Sequence, residues 1–179
     1  MTRKSFLVMV GVLGIASAAQ AKDLTGILGL NYTVGPAFLA GGSDAKDAGQ
    51  AVGPGVGAAL DLGLMHNLSF EFGYDYFDEG LQAQDLTFSG IVRLTPDSET
   101  TPFIGLGLGF GKRYVGDDWD RFALKAQGGI EHFFTDNISA AAVLSYNYIN
   151  GPSDHDIGSL HMIEPGVRIA YYFGSIARH

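Results

Sequence analysis

The chain has 179 residues, of which 26 are glycine and none is cysteine, and its 19 Asp+Glu outnumber its 11 Lys+Arg. Without cysteine there is no disulfide framework and no thiol chemistry. The acidic balance excludes nucleic acid as a partner, because phosphates demand a basic face.

The length suits one domain with a sizeable core. Arg3 and Lys4 precede an apolar run from Phe6 to Ala19, and Ala19-Gln20-Ala21 has the small-x-small form of a cleavage site. Residues 1–21 are therefore expected to be a signal peptide, with Lys22 as the mature N-terminus. The run is short for a membrane helix, which needs roughly 18 or more apolar residues. Removing it takes away Arg3 and Lys4 and no acid, so nine bases face 19 acids and the net charge becomes −10. Charged residues are only 17% of the chain and aromatics reach 12%. An exported chain of that composition suits a surface that meets lipid better than a soluble enzyme.

After Ala21 no stretch is apolar long enough for a membrane helix, and the chain alternates instead. In 24–34, Leu28, Leu30 and Tyr32 alternate with Ile27, Gly29 and Asn31. In 52–64 the apolar set is Val56, Ala58, Leu60, Leu62 and Leu64. LSFEFGYDYF, residues 68–77, sets Leu68, Phe70, Phe72, Tyr74 and Tyr76 against Ser69, Glu71, Gly73, Asp75 and Phe77. The same period of two marks 84–94, 102–113, 121–134, 138–149 and 161–173. Period two is a strand with unlike faces. Eight such strands of about ten residues match tilted membrane strands.

The turns 65–67, 95–101 and 135–137 are generally shorter than the loops 35–51, 78–83, 114–120 and 150–160. Short turns on one side and longer loops on the other predict a transmembrane barrel with both termini on the periplasmic side. The polar set carries Asp61, Glu71, Asp75, Asp85, Arg93, Arg113, Lys125, Glu131, Glu164 and Arg168. Isolated buried charge is very costly, so these six acids and four bases must pair or meet water inside a narrow lumen. Bulky residues outside and charge inside is the arrangement lipid requires, and the reverse of a soluble lipocalin-like barrel. Tyr32, Tyr74, Tyr76, Tyr146, Tyr148, Phe134, Tyr171 and Phe173 are expected to form aromatic girdles, with His132 beside Phe134.

The units HNLS…GYDYF and DNIS…SYNYI, the stretch TPFIGLGLGFG and the final GVRIAYYF occur in an order that resembles the small outer-membrane barrels of the OmpA/OmpX type. The resemblance covers residues 22–173. It implies an all-β, eight-stranded antiparallel barrel in the bacterial outer membrane, mostly in non-enzymatic envelope roles. Outer-membrane lipid, lipopolysaccharide and the barrel-assembly machinery are the implied partners, with no cofactor and a monomeric state. The family commonly ends on the terminal aromatic, whereas GSIARH, residues 174–179, follows Phe173 here. No peptidoglycan-binding domain follows the barrel, so that activity is not expected.

Gly105, Gly107, Gly109, Gly111 and Lys112 invite a phosphate-loop reading. Leu106 stands six before Lys112 where glycine is needed, and Arg113 stands where Ser or Thr should hold magnesium. Phe110 breaks the dinucleotide pattern as well. These glycines are expected to face the lumen and leave room for long side chains. Ser153, His155 and His161, with Asp154 and Asp156, raise a second possibility, a lipid A-modifying hydrolase or acyltransferase. No His-x-Ser-Asn stretch of the lipid A deacylase kind is present. Adjacency in sequence is not triad geometry, and a polar loop beside Gly151-Pro152 is ordinary. Asp117, Asp118 and Asp120 around Trp119 read as a solvated rim rather than a metal site, so no metal is expected. A third possibility is a narrow channel, with a salt-bridged plug as its opposite.

Overall fold

A computed structural model describes residues 22–41, 52–78, 83–112, 118–150, 159–174 and 177–178. The strands are β1 (Lys22–Asp23), β2 (Leu28–Gly41), β3 (Val52–Met65), β4 (Leu68–Phe77), β5 (Ala83–Arg93), β6 (Thr100–Lys112), β7 (Arg121–Phe133), β8 (Ile138–Ile149), β9 (Leu160–Phe173) and β10 (Ala177–Arg178). Strands β2 to β9 pair in sequence order, all antiparallel, and β9 returns to β2, so the barrel is closed. Closure pairs every backbone edge within the protein, which a chain crossing lipid must achieve.

The alternation in sequence becomes alternation in burial. Along β6, Leu106 is 71% exposed, Leu108 61% and Phe110 57%, while Gly105, Gly107 and Gly111 on the other parity are buried and Gly109 is half-buried. On the opposite parity Asp85 and Glu71 are each 1% exposed. A soluble barrel would show the reverse. The register puts like with like around the wall: Leu30 opposite Leu60, Phe72 opposite Phe88, Leu106 opposite Ala126. Phe72 and Phe88 also meet ring to ring at 4.8 Å.

The inward glycines make space. A Cβ on Gly57 would overlap the Asp75 carboxylate, and one on Gly107 would overlap the Ser89 hydroxyl. A Cβ on Gly109 would overlap the carbonyl oxygen of Leu86, which cannot move aside. The stretch that resembled a phosphate loop is thus the inner face of β6, where bare backbone lets facing strands and lumen side chains approach.

Most strand ends lie within two residues of the sequence reading, and two larger differences stand out. The first barrel strand runs Leu28–Gly41 rather than 24–34. Gly35-Pro36 suggests a turn, yet Ala37 and Phe38 continue the alternation, buried and exposed in turn. Proline is tolerated because the β2–β9 register has no paired residues between Val34 and Phe38. Residues 24–27 form a turn instead. Gly26 has φ 75°, a conformation glycine adopts readily, and its N–H donates to the Gly63 carbonyl at 2.8 Å. The second difference is the β1–β10 ribbon, in which Lys22 pairs with Arg178 and Asp23 with Ala177. Its strands of two residues carry no readable periodicity.

Candidate functional site: a lumen filled by three polar layers

The inward side chains stack between two apolar seals. At the short-turn end Leu24, Phe133, Ala170 and Tyr172 cluster, with Leu24 supplied by the segment ahead of the barrel. At the long-loop end Ala37, Phe77, Ala123, Ile149, Leu160 and Met162 form the other seal. The charged residues lie between them.

Arg93 organises the layer nearest the short turns. Its Nε donates to Glu131 Oε2 at 2.9 Å, Nη1 to Ser69 Oγ at 2.9 Å, and Nη2 to Asp61 Oδ2 at 3.1 Å and to the Tyr172 hydroxyl at 2.9 Å. Glu131 Oε1 accepts from Ser139 at 2.6 Å and from Tyr172 at 2.8 Å. The fixed guanidinium fork suits this multiple donation. In the middle layer Arg168 Nη1 lies 3.2 Å from Glu71 Oε2, and Nη2 donates to Gln127. Gln127 Nε2 returns a bond to Glu71 Oε1 at 2.9 Å, and Asn31 donates to Oε2 at 3.1 Å. The guanidinium also lies 5.4 Å from the Phe103 ring centroid.

The layer nearest the long loops is sparser. Lys125 Nζ pairs with Asp75 across the lumen. Asp85 is the direct strand partner of Asp75, and Glu164 is buried above them. Asp85 Oδ1, Glu164 Oε1, Thr87 Oγ1 and both amide atoms of Asn147 have no hydrogen-bond partner. Among the described residues Asp75 is the one carboxylate of these three in direct contact with Lys125.

Nine of the ten expected interior charges face the lumen; Arg113 lies outside the described residues. Arg93, Lys125 and Arg168 each reach an acid on another strand. Tyr32, Tyr74, Phe134, Tyr171 and Phe173 are exposed on the outer wall, and Tyr76, Tyr146 and Tyr148 are half-buried there. Phe134 packs on His132 at 4.9 Å and Tyr171 on Phe173 at 5.0 Å, both towards the short-turn end. Towards the other end the Lys112 ammonium sits 5.2 Å from the Trp119 ring, itself 6.4 Å from Tyr74. Lys112 is the last residue of β6 on the lipid-facing parity, where a lysine can keep its charge at the rim.

Ser153, His155, Asp154, Asp156 and Asp117 lie outside the described residues. His161 is on the outer wall. Its Nδ1 is 2.6 Å from the Tyr146 hydroxyl and its Nε2 is 3.1 Å from Ser159 Oγ. Sequence reading picked out His161 but not Tyr146 as its neighbour, which comes from the pairing of adjacent strands β8 and β9. Among the described residues no His, Cys, Asp and Glu cluster suits a metal ion.

The fold is shared with small outer-membrane barrels. Neisserial surface protein A matches with TM-score 0.60 and 17% identity, over 83% of this chain and 98% of that one. OprG from Pseudomonas aeruginosa matches with TM-score 0.56 and 14% identity, over 86% and 99%. The N-terminal barrel domain of Pseudomonas aeruginosa OprF matches with TM-score 0.56 and 12% identity, over 83% and 98%. No protein-family model matches the sequence, and no curated protein does. The closed eight-stranded fold and the apolar outer wall together make the chain a transmembrane barrel of the outer-membrane type.

Proposed function

We propose that this barrel is a closed, non-enzymatic component of the outer membrane that acts in envelope structure or through its surface loops. The observation that carries the reading is the filled lumen: ion pairs cross it in three layers and apolar clusters cap both ends. Eight strands leave an interior just wide enough for side chains, and here side chains occupy it. Lipopolysaccharide and the barrel-assembly machinery are the partners this placement implies, and a barrel without free edges suits a monomer.

Planar-bilayer recording of the purified protein tests the reading. No unitary openings are expected, and reproducible ones would overturn the closed lumen. Comparing lipid A by mass spectrometry from cells with the wild type, with His161→Ala, and without the protein tests the absence of chemistry. Identical profiles are expected; a protein-dependent acyl change lost in His161→Ala would establish an enzyme. The narrow channel stays as a second reading on one observation, the unpartnered polar atoms around Asp85, Glu164 and Asn147, which suit ordered water.

A further inference from the structure

The inward glycines have lumen groups or neighbouring backbone to accommodate, but Gly90 does not share that reason. It sits on the outward parity of β5, and a Cβ placed on it meets nothing within 4 Å. Gly128 on β7 is also outward, and its nearest neighbours would be at ordinary contact distance. With Ala126 they recess a wall that is otherwise built of large side chains. One depression of about 320 Å³ lies against Gly90, Val92, Ile104, Leu106 and Ala126. A second of about 270 Å³ lies against Ala126, Leu144, Tyr146 and Ile163. They share Ala126 and Gln127, so together they trace one oblique groove across strands β5 to β9, with Tyr146 in the lining at its β8–β9 end.

At that end stand Tyr146, His161 and Ser159, at the long-loop ends of β8 and β9. A neutral imidazole donates from one nitrogen and accepts at the other. If Nδ1 carries the proton, it donates to Tyr146 and leaves the tyrosine O–H free. If Nε2 carries it, the serine O–H is the free one. If both do, both hydroxyls are free. In every state the trio therefore has an O–H left to donate. No Lys or Arg is among its partners, so it suits an uncharged carbonyl or hydroxyl better than a phosphate.

Apolar wall against apolar lipid gains nothing from the hydrophobic effect, so selective contact must come from shape and hydrogen bonds. The groove supplies the shape and the trio supplies the bonds. We propose that this face holds one lipid A molecule of the outer leaflet, an acyl chain lying in the groove and its ester or amide linkage hydrogen-bonded to the Tyr146–His161–Ser159 trio. The leaflet decides the occupant: the trio is at the long-loop end, opposite both termini, which is the lipopolysaccharide side of an outer membrane. The proposal rests on the membrane reading of the barrel and is independent of whether the lumen conducts.

Native mass spectrometry of the full mature protein, extracted from outer membranes in mild detergent, tests it. Fractionation of the wild type comes first, and its absence from the outer membrane would sink the membrane reading itself. Protein that is present should carry one lipid A, retained against added phosphatidylethanolamine. Ala126→Phe, which fills the groove, should cut the retained fraction at least tenfold. Tyr146→Phe keeps the ring and guards against misfolding of the first variant; combined with Ser159→Ala it should cut the fraction about fivefold. Leu60→Phe, on the opposite wall, should leave it unchanged. Retention by Ala126→Phe at the wild-type level, equal loss in Leu60→Phe, or preferential capture of phosphatidylethanolamine would each overturn the proposal.

Discussion

The two halves of the lumen solve the same problem differently. Near the short turns, Arg93 donates to four partners and Glu131 is bonded through both oxygens. Near the long loops, among the described residues, Lys125 pairs with Asp75 alone, and five side-chain polar atoms of Asp85, Glu164, Thr87 and Asn147 have no partner, against Asp61 Oδ1 in the Arg93 layer. A buried charge is tolerable when bonded and costly when orphaned. The lower half is therefore the more fully bonded network. The upper half, among the described residues, is the less bonded one.

The largest effect should separate these halves directly. Arg93→Met leaves Asp61 and Glu131 facing each other without a cation, and breaking a buried pair from one side costs about 3–5 kcal/mol. Lys125→Met should cost less, about 1–3 kcal/mol, because Lys125 holds one carboxylate in direct contact where Arg93 holds two and two hydroxyls. Urea unfolding of both variants in the same lipid checks the ranking, and equal losses would erase the distinction. A smaller effect concerns the backbone. Gly109→Ala forces a Cβ onto the Leu86 carbonyl and should cost about 1–3 kcal/mol. Gly90→Ala meets nothing and should stay within about 0.5 kcal/mol. The smallest effect has the opposite sign. Asp85→Asn removes a like charge directly across from Asp75 and should stabilise the barrel by about 0.2–1 kcal/mol. Glu131→Gln in the lower half should instead destabilise it in the same assay.

The wall and the lumen were legible because a strand's period of two sorts Leu106 from Gly107 without knowledge of any neighbour. The same parity sent Asp61, Glu71 and Arg168 inward. What parity does not carry is which strand faces which across the lumen. The Arg93–Asp61 and Arg168–Glu71 pairs needed the register and the closure of the barrel. Gly35-Pro36 misled because a turn signal and a strand irregularity use the same residues. His161 was visible as a polar residue, but its working neighbour Tyr146 lies 15 positions away on another strand. Ser159 was the nearer clue, two residues away and on the same strand parity.

The β1–β10 ribbon also bears on the order of events. Among the described residues β1 pairs as a strand with β10 alone, just as β2 finds its second strand partner in β9. Strands distant in sequence therefore meet at two separate places. The seam and the clasp beside it are therefore expected to complete together. Leu24 can settle under Phe133 and Tyr172 only once β7 and β9 are in place. In kinetic terms the short-turn end should be the final part of the molecule to become protected, although in the finished barrel it is the better bonded of the two.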